Sequence, residues 1–204
     1  MQKHNNGGIE ISPLLDGIYR KNTILVSGLV IAPVVFVANT VTKALALIFA
    51  FSLITFFTII ISSCISRNIV YTIRIILYTL IGALVYVPVA SIAMHIFSEN
   101  VVKEMGIMLP LLITNSMIMT KTELRFFRQK KGKMVVDILS YIVGFDIVVF
   151  FIGFIREIFG TGEISGKILG ISLTFPVLIY PFGGFILIGL CAALFRKVQS
   201  YFSE

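Results

Sequence analysis

Long apolar runs separated by single charges or short charged stretches set the frame of this chain. Between Lys21 and Lys43 lie 21 uncharged residues, and between Lys43 and Arg67 another 23. A third run extends from Ile75 to Phe97, a fifth from Val135 to Ile155, and a sixth of 28 uncharged residues precedes Arg196. A helix needs ~20 residues to cross ~30 Å of hydrocarbon, so each of these predicts a transmembrane helix. The fourth run is shorter. Between Glu104 and Lys121 there are 16 uncharged residues, interrupted by Pro110 and followed by the polar set Thr114, Asn115 and Ser116. Proline removes a backbone donor, and the polar side chains can re-satisfy the groups that a helix break frees. The segment therefore predicts a half-helix, a short unwound turn near the bilayer midplane, and a second half-helix.

The first run carries Gly28, Pro33 and Asn39 and is a second candidate for a broken helix. Gly28 to Pro33 (GLVIAP) and Gly106 to Pro110 (GIMLP) share a Gly-apolar-Pro pattern, each followed by an asparagine, Asn39 or Asn115. Three spans separate the two segments, which makes them antiparallel. The reading is an all-α integral membrane protein of six transmembrane helices, a 3+3 inverted repeat with broken helices 1 and 4. The second run has no Gly or Pro and predicts a regular helix. The third has Pro88 as a kink and His95 near its end, read as an interface residue.

Ahead of the spans, residues 9–20 alternate apolar groups with Glu10, Asp16 and Arg20, as in an amphipathic helix at headgroup level. Met1 to Gly8 is polar, so no cleavable signal is expected. The domain plan is an N-terminal segment 1–21, a membrane domain 22–197 and a tail 198–204.

Composition supports the membrane assignment: 57% hydrophobic and 13% charged, about half the charge of a soluble domain. The formal charge of +7 marks a cytoplasmic leaflet and not nucleic acid. Six spans put thirteen basic residues on the side of both termini and leave Lys43, Lys103, Arg156 and Lys167 on the other. That asymmetry makes the termini cytoplasmic, and five or seven spans would scatter it. Cys64 and Cys191 fall near the ends of expected helices and cannot form a tetrahedral metal site by themselves; both read as small buried hydrophobes. Asp146, inside the fifth run, is an intramembrane carboxylate. It is either a functional cation or proton contact or an inward-facing aspartate hydrogen-bonded to its neighbours. No dinucleotide fingerprint, Walker loop or nucleophile–base pair is present, so any nicotinamide or flavin chemistry belongs to other chains.

At the broken segments the sequence resembles the RnfE/NqrD branch of the Rnf/Nqr membrane subunits. Where the family reads N-P-x-L-V-x-x-L-G-L-C-P, Asn22 to Pro33 reads NTILVSGLVIAP. Where it reads close to G-I-F-I-P-L-I-V-T-N-C, Gly106 to Ser116 reads GIMLPLLITNS. Its R-A-E is matched by Lys121, Thr122 and Glu123, and its L-R-E-I-x-G-x-G by Ile155 to Gly162 (IREIFGTG), with Arg74 and Asp137 also in register. A late P-x-G-x-F-I-x-I-G-L appears as Pro181 to Leu190 (PFGGFILIGL), so the likeness runs from about residue 17 to 197.

The resemblance implies a prokaryotic cytoplasmic (inner) membrane and a larger ion-translocating electron transport complex. In it a paired six-span subunit of opposite orientation shares a [2Fe–2S] cluster held by cysteines of both broken segments. Here those positions are Ala32 and Ser116, so no cluster is expected on this chain. Three readings follow: a non-catalytic subunit of such a complex without its own cluster, a repurposed permeation module, or an assembly subunit. The residues expected to line a midplane ion pathway are Gly28, Pro33, Asn39, Pro110, Thr114, Asn115, Ser116 and Asp146.

Overall fold

The computed structural model describes residues 17–18, 22–66, 68–124, 126–128, 130–164, 167–168 and 174–201. The amphipathic segment expected at 9–20 lies outside these apart from Gly17 and Ile18, as do Arg67 and the last residues of the tail. The described chain is helical except for a two-residue hairpin, Glu163–Ile164 against Lys167–Ile168. Four helices are long and apolar enough to cross a membrane, and a bent pair of shorter pieces makes a fifth candidate.

A short helix α1 (Ile31–Val37) leads into α2 (Val41–Ser62). The side chain of Thr40 caps α2 by accepting from the Lys43 N–H at 3.3 Å, and 22 residues without Gly or Pro keep the helix regular. α3 (Tyr71–Phe97) runs through Pro88 and starts four residues earlier than expected, which puts Arg74 inside the helix. Ser98, at φ 72°, turns the chain into α4 (Glu99–Met105). α4 and the 3-10 turn Gly106–Met108 are bent by 46° from the stretch Pro110–Lys121. The fourth span thus begins at Glu99 and not at Gly106, carrying Lys103 and Glu104 within its first half.

α5 (Lys131–Thr161) is longer than expected. Its 31 residues span about 46 Å, beyond the ~30 Å of hydrocarbon. The charged pair Arg156 and Glu157 reads in sequence as the start of a loop, yet both are buried within the helix. The helix stops at Gly162, whose left-handed backbone (φ 74°) directs its N–H to Ile158 O at 2.9 Å. α6 (Pro181–Tyr201) begins later than expected, because a 3-10 turn, Pro176–Leu178, precedes a proline-started helix. Cys191 therefore lies in the middle of α6 and not near an end, while Cys64, just past α2, is exposed and not a buried hydrophobe.

The core forms where α2 and α5 cross antiparallel. Ala44 sits beside Gly153, Phe51 stacks on Phe145 with ring centroids 3.7 Å apart, and Ser52 meets Asp146. α3 packs on α2, and α6 packs on α1. Both outer helices leave wide apolar faces uncovered, Ile76, Leu80, Leu84 and Val87 on one and Phe182, Phe185, Leu190 and Leu194 on the other. Such faces suit lipid or other subunits.

The turn at 176–178 lies against the first turn of α6. A Cβ added at Gly183 would fall 2.2 Å from Val177 O and 2.7 Å from Leu178 Cα, both backbone atoms with little freedom to move. Gly183→Ala is expected to destabilise the solubilised chain by ~1–3 kcal/mol. An unchanged melting temperature would show that the turn is not fixed there.

Candidate functional site

Two interruptions, one near each end of the sequence, are each built around an asparagine. In the first, Asn22 Oδ1 accepts from the Ile24 and Leu25 N–H groups at 3.0 and 3.1 Å. Its Nδ2 donates to Ile18 O at 3.2 Å and, across to α5, to Gly144 O at 2.8 Å. The turn it caps continues to Gly28 (φ 65°) and Val30 (φ 60°) before α1 starts. A left-handed backbone at a β-branched residue costs roughly 1–3 kcal/mol, so the surrounding structure must impose it. Pro33 lies buried in the first turn of α1, while Gly28 and Ala32 face outward.

In the second interruption, Pro110–Thr114 is a 3-10 turn and Asn115 is extended (φ −63°, ψ 142°) before a π-helical stretch, Met117–Lys121. Asn115 Oδ1 accepts from Ile118 N–H at 2.8 Å. Its Nδ2 donates to Leu112 O at 2.9 Å and to Thr55 Oγ1 of α2 at 3.2 Å. Asn115 is buried, whereas Thr114 and Ser116 are exposed. The sequence pattern matches Asn115 with Asn39; in the structure the residue with the same bonding is Asn22. Asn39 sits elsewhere, at the junction of α1 and α2, with its side-chain oxygen buried and without a hydrogen-bond partner among the described residues.

That junction is gripped by α5. Arg156 is fully buried, and its guanidinium donates to Val35 O and Ala38 O at the end of α1 at 2.8 and 2.9 Å. It also donates to Leu178 O and Ile179 O, both at 2.8 Å, and to Tyr180 O at 3.4 Å, at the end of the turn before α6. These are carbonyls that short helical pieces leave without an internal partner. Glu157 adds the complementary bond, accepting from Val41 N–H at the start of α2 at 2.6 Å. One end of α5 thus satisfies acceptors and a donor from three other segments.

The profile of the Rnf-Nqr subunit family, described as membrane proteins, matches residues 11–192. The chain belongs to the Rnf-Nqr subunit family. Among its relatives, the ion-translocating oxidoreductase complex RnfE protein of Haemophilus ducreyi is 29% identical over 89% of this chain and 86% of its own length. The protein of the same name from Sodalis glossinidius is 30% identical over 74% of this chain and 65% of its own length. The Rhodobacter capsulatus protein of that name is 26% identical over 91% and 82%.

In this Rnf-Nqr subunit, motif residues far apart in sequence come together at the Lys121 end. Glu123 pairs with Arg74 Nη2 at 3.0 Å and accepts a short hydrogen bond from the Tyr78 hydroxyl. Lys121 stands 4.4 Å over the Tyr141 ring and 3.4 Å from Ser27 Oγ. Asp146 lies at the α2–α5 crossing, half-buried, with both carboxylate oxygens 3.0–3.1 Å from the Ser52 hydroxyl that donates to them. The expected pathway residues therefore do not form one cluster. Gly28, Pro33 and Asn39 belong to the first segment, Pro110, Thr114, Asn115 and Ser116 to the second, and Asp146 to the crossing helices. The two segments do touch, where α1 packs against Gly106–Met108.

Residues that the sequence pattern did not single out for the site include Asn22, Ser52, Thr55, Tyr78 and, as a clamp, Arg156. The signal for Arg156 was present in the Rnf-Nqr family's L-R-E motif, and in the rarity of a charge continuing an apolar run. Ser52 and Thr55 carried none, because a hydroxyl inside an apolar run does not declare its partner.

Proposed function

We propose that this chain is a membrane subunit of an Rnf/Nqr-type ion-translocating electron transport complex, contributing no cluster ligands of its own. The reading places it in a prokaryotic cytoplasmic membrane with both termini cytoplasmic, beside a paired six-span subunit of opposite orientation and other membrane subunits.

The observation that carries this reading is the crossed anchoring of the two breaks. Asn22, in the first half of the chain, is tied to α5 of the second, and Asn115, in the second half, is tied to α2 of the first. With the segments around them counted as crossings, α2, α3, α5 and α6 complete six, in a 3+3 inverted arrangement. The reciprocal bonds are what a pseudo-two-fold axis in the membrane plane generates. Ala32 and Ser116 both face outward, which is where a partner chain meets these segments. A methyl group offers no donor, and a hydroxyl is a poor match for a cluster ordinarily held by thiolates, so the donor set does not fit a [2Fe–2S] group. Cys191 is one thiol, half-buried in α6, and Cys64 lies beyond the end of α2.

Chain purified from membranes is expected to bind no stoichiometric iron or acid-labile sulfide and to give no iron–sulfur EPR signal. Sulfide in a 2:1 ratio to this polypeptide would overturn the ligand assignment. The alternative, a permeation module that carries no electrons, draws on the Ser52–Asp146 pair. It predicts that the chain purifies without flavin-bearing partners.

A further inference from the structure

A buried line of hydroxyls leads away from the break at Asn115. α2 and the segment after α4 run in the same direction, since Lys43 pairs with Glu104 at 2.7 Å near their starts and Thr55 with Asn115 farther along. Thr58 and Ser62 follow Thr55 on one stripe of α2, at successive helical turns. Thr122 follows Asn115 by seven residues, the same separation as Ser62 from Thr55. All four hydroxyl residues are fully buried, at 0% exposure. Thr58 Oγ1, Ser62 Oγ and Thr122 Oγ1 have no hydrogen-bond partner among the described residues. Buried polar atoms are as a rule bonded to protein, water or an ion. Next to Thr122, the Glu123 carboxylate, held by Arg74 and Tyr78, stands at the outer end of this line.

We propose that Thr58, Ser62 and Thr122 line a hydrated seam that carries a monovalent cation between the Glu123 end of the molecule and the break at Asn115. The side chains named along the seam are neutral oxygen donors, the class that hard alkali cations accept together with water. A divalent ion would keep two charges in an apolar interior without an anionic ligand among them. The cation assignment rests on the ion-translocating reading, whereas the hydration of the seam stands independently of it.

Silver ion, a thiol-reactive monovalent cation, tests access. Full-length chain co-expressed with its partners, carrying Cys64→Ser and Cys191→Ser, receives single cysteines at Thr58, Ser62 or Thr122. Inverted membrane vesicles are exposed to silver, quenched and denatured, and the remaining thiols are counted with a fluorescent maleimide. All three positions should lose labelling at silver concentrations that leave Phe57→Cys, on the exposed apolar side of α2, fully labelled. Labelling at Thr58→Cys and Ser62→Cys equal to that at Phe57→Cys would overturn the seam. Sodium or lithium should slow the silver reaction where choline at equal concentration does not; no slowing by any alkali cation would overturn the cation assignment. Thr58→Val provides a check that needs no labelling. Replacing a dry, unpaired hydroxyl by a methyl group raises the melting temperature, whereas removing a hydrated one lowers it. A fall is expected, and a rise would overturn the proposal. Iron content and membrane topology play no part in these measurements, so failure here and failure of the subunit assignment are separate outcomes.

Discussion

Arg156→Met is expected to prevent the chain from accumulating in the membrane. The substitution keeps most of the side-chain volume but removes the donors to Val35 O, Ala38 O, Leu178 O and Ile179 O. Each buried acceptor left unpaired costs about 1–3 kcal/mol, so four approach the whole stability of an ordinary domain, roughly 5–15 kcal/mol. Arg156→Lys should be intermediate, because three hydrogens on one nitrogen cannot reach two separated groups of carbonyls. Immunoblotting of membranes and melting of the solubilised chain measure both. If Arg156→Met accumulates and melts within about 2 °C of the parent, under roughly 1 kcal/mol at this length, the clamp is not what holds these segments.

Asp146→Asn separates the carboxylate's chemistry from its packing. The amide has nearly the same shape and can still accept from Ser52, so the chain should assemble and melt normally. Cation-coupled activity of the reconstituted complex should fall at least about tenfold, an increase of roughly 1.4 kcal/mol in the limiting barrier. The reason is position: the residue sits where the two central helices cross, half-buried, with one hydroxyl donating to both oxygens. A carboxylate at that depth is costly unless it is protonated, loaded with a cation or met by a neighbouring chain, and the amide can do neither of the first two. Normal coupled uptake by the variant would remove Asp146 from the ion path.

These two residues show what the sequence could and could not convey. Asp146 was legible because a lone acid in an apolar run is conspicuous. Arg156 was read as the end of a span for the same reason, since a charge usually means water. What the run could not show is that five carbonyls from two other segments surround the guanidinium and take water's place. α2 was legible in full, through an unbroken apolar run behind the Thr40 cap. α6 was not: 28 uncharged residues read as one span, while Pro176 and Pro181 divide them into a turn and a helix. The break at Asn115 was visible from Pro110 and the polar triplet. Its counterpart at Asn22 was hidden, because an asparagine ahead of an apolar run does not show that it will bond a helix 122 residues away.

That separation bears on how the chain is made. The clamp joins Val35 to Arg156 across 121 positions and closes only when residues 178–180 have been added. During translation the first segment enters the bilayer long before its final seat exists. It must wait there, loosely held, until the last helix leaves the ribosome, and contacts so distant in sequence form slowly. A nascent chain arrested before Leu178 should therefore leave its N-terminal segment open to proteolysis, and release of the complete polypeptide should close it.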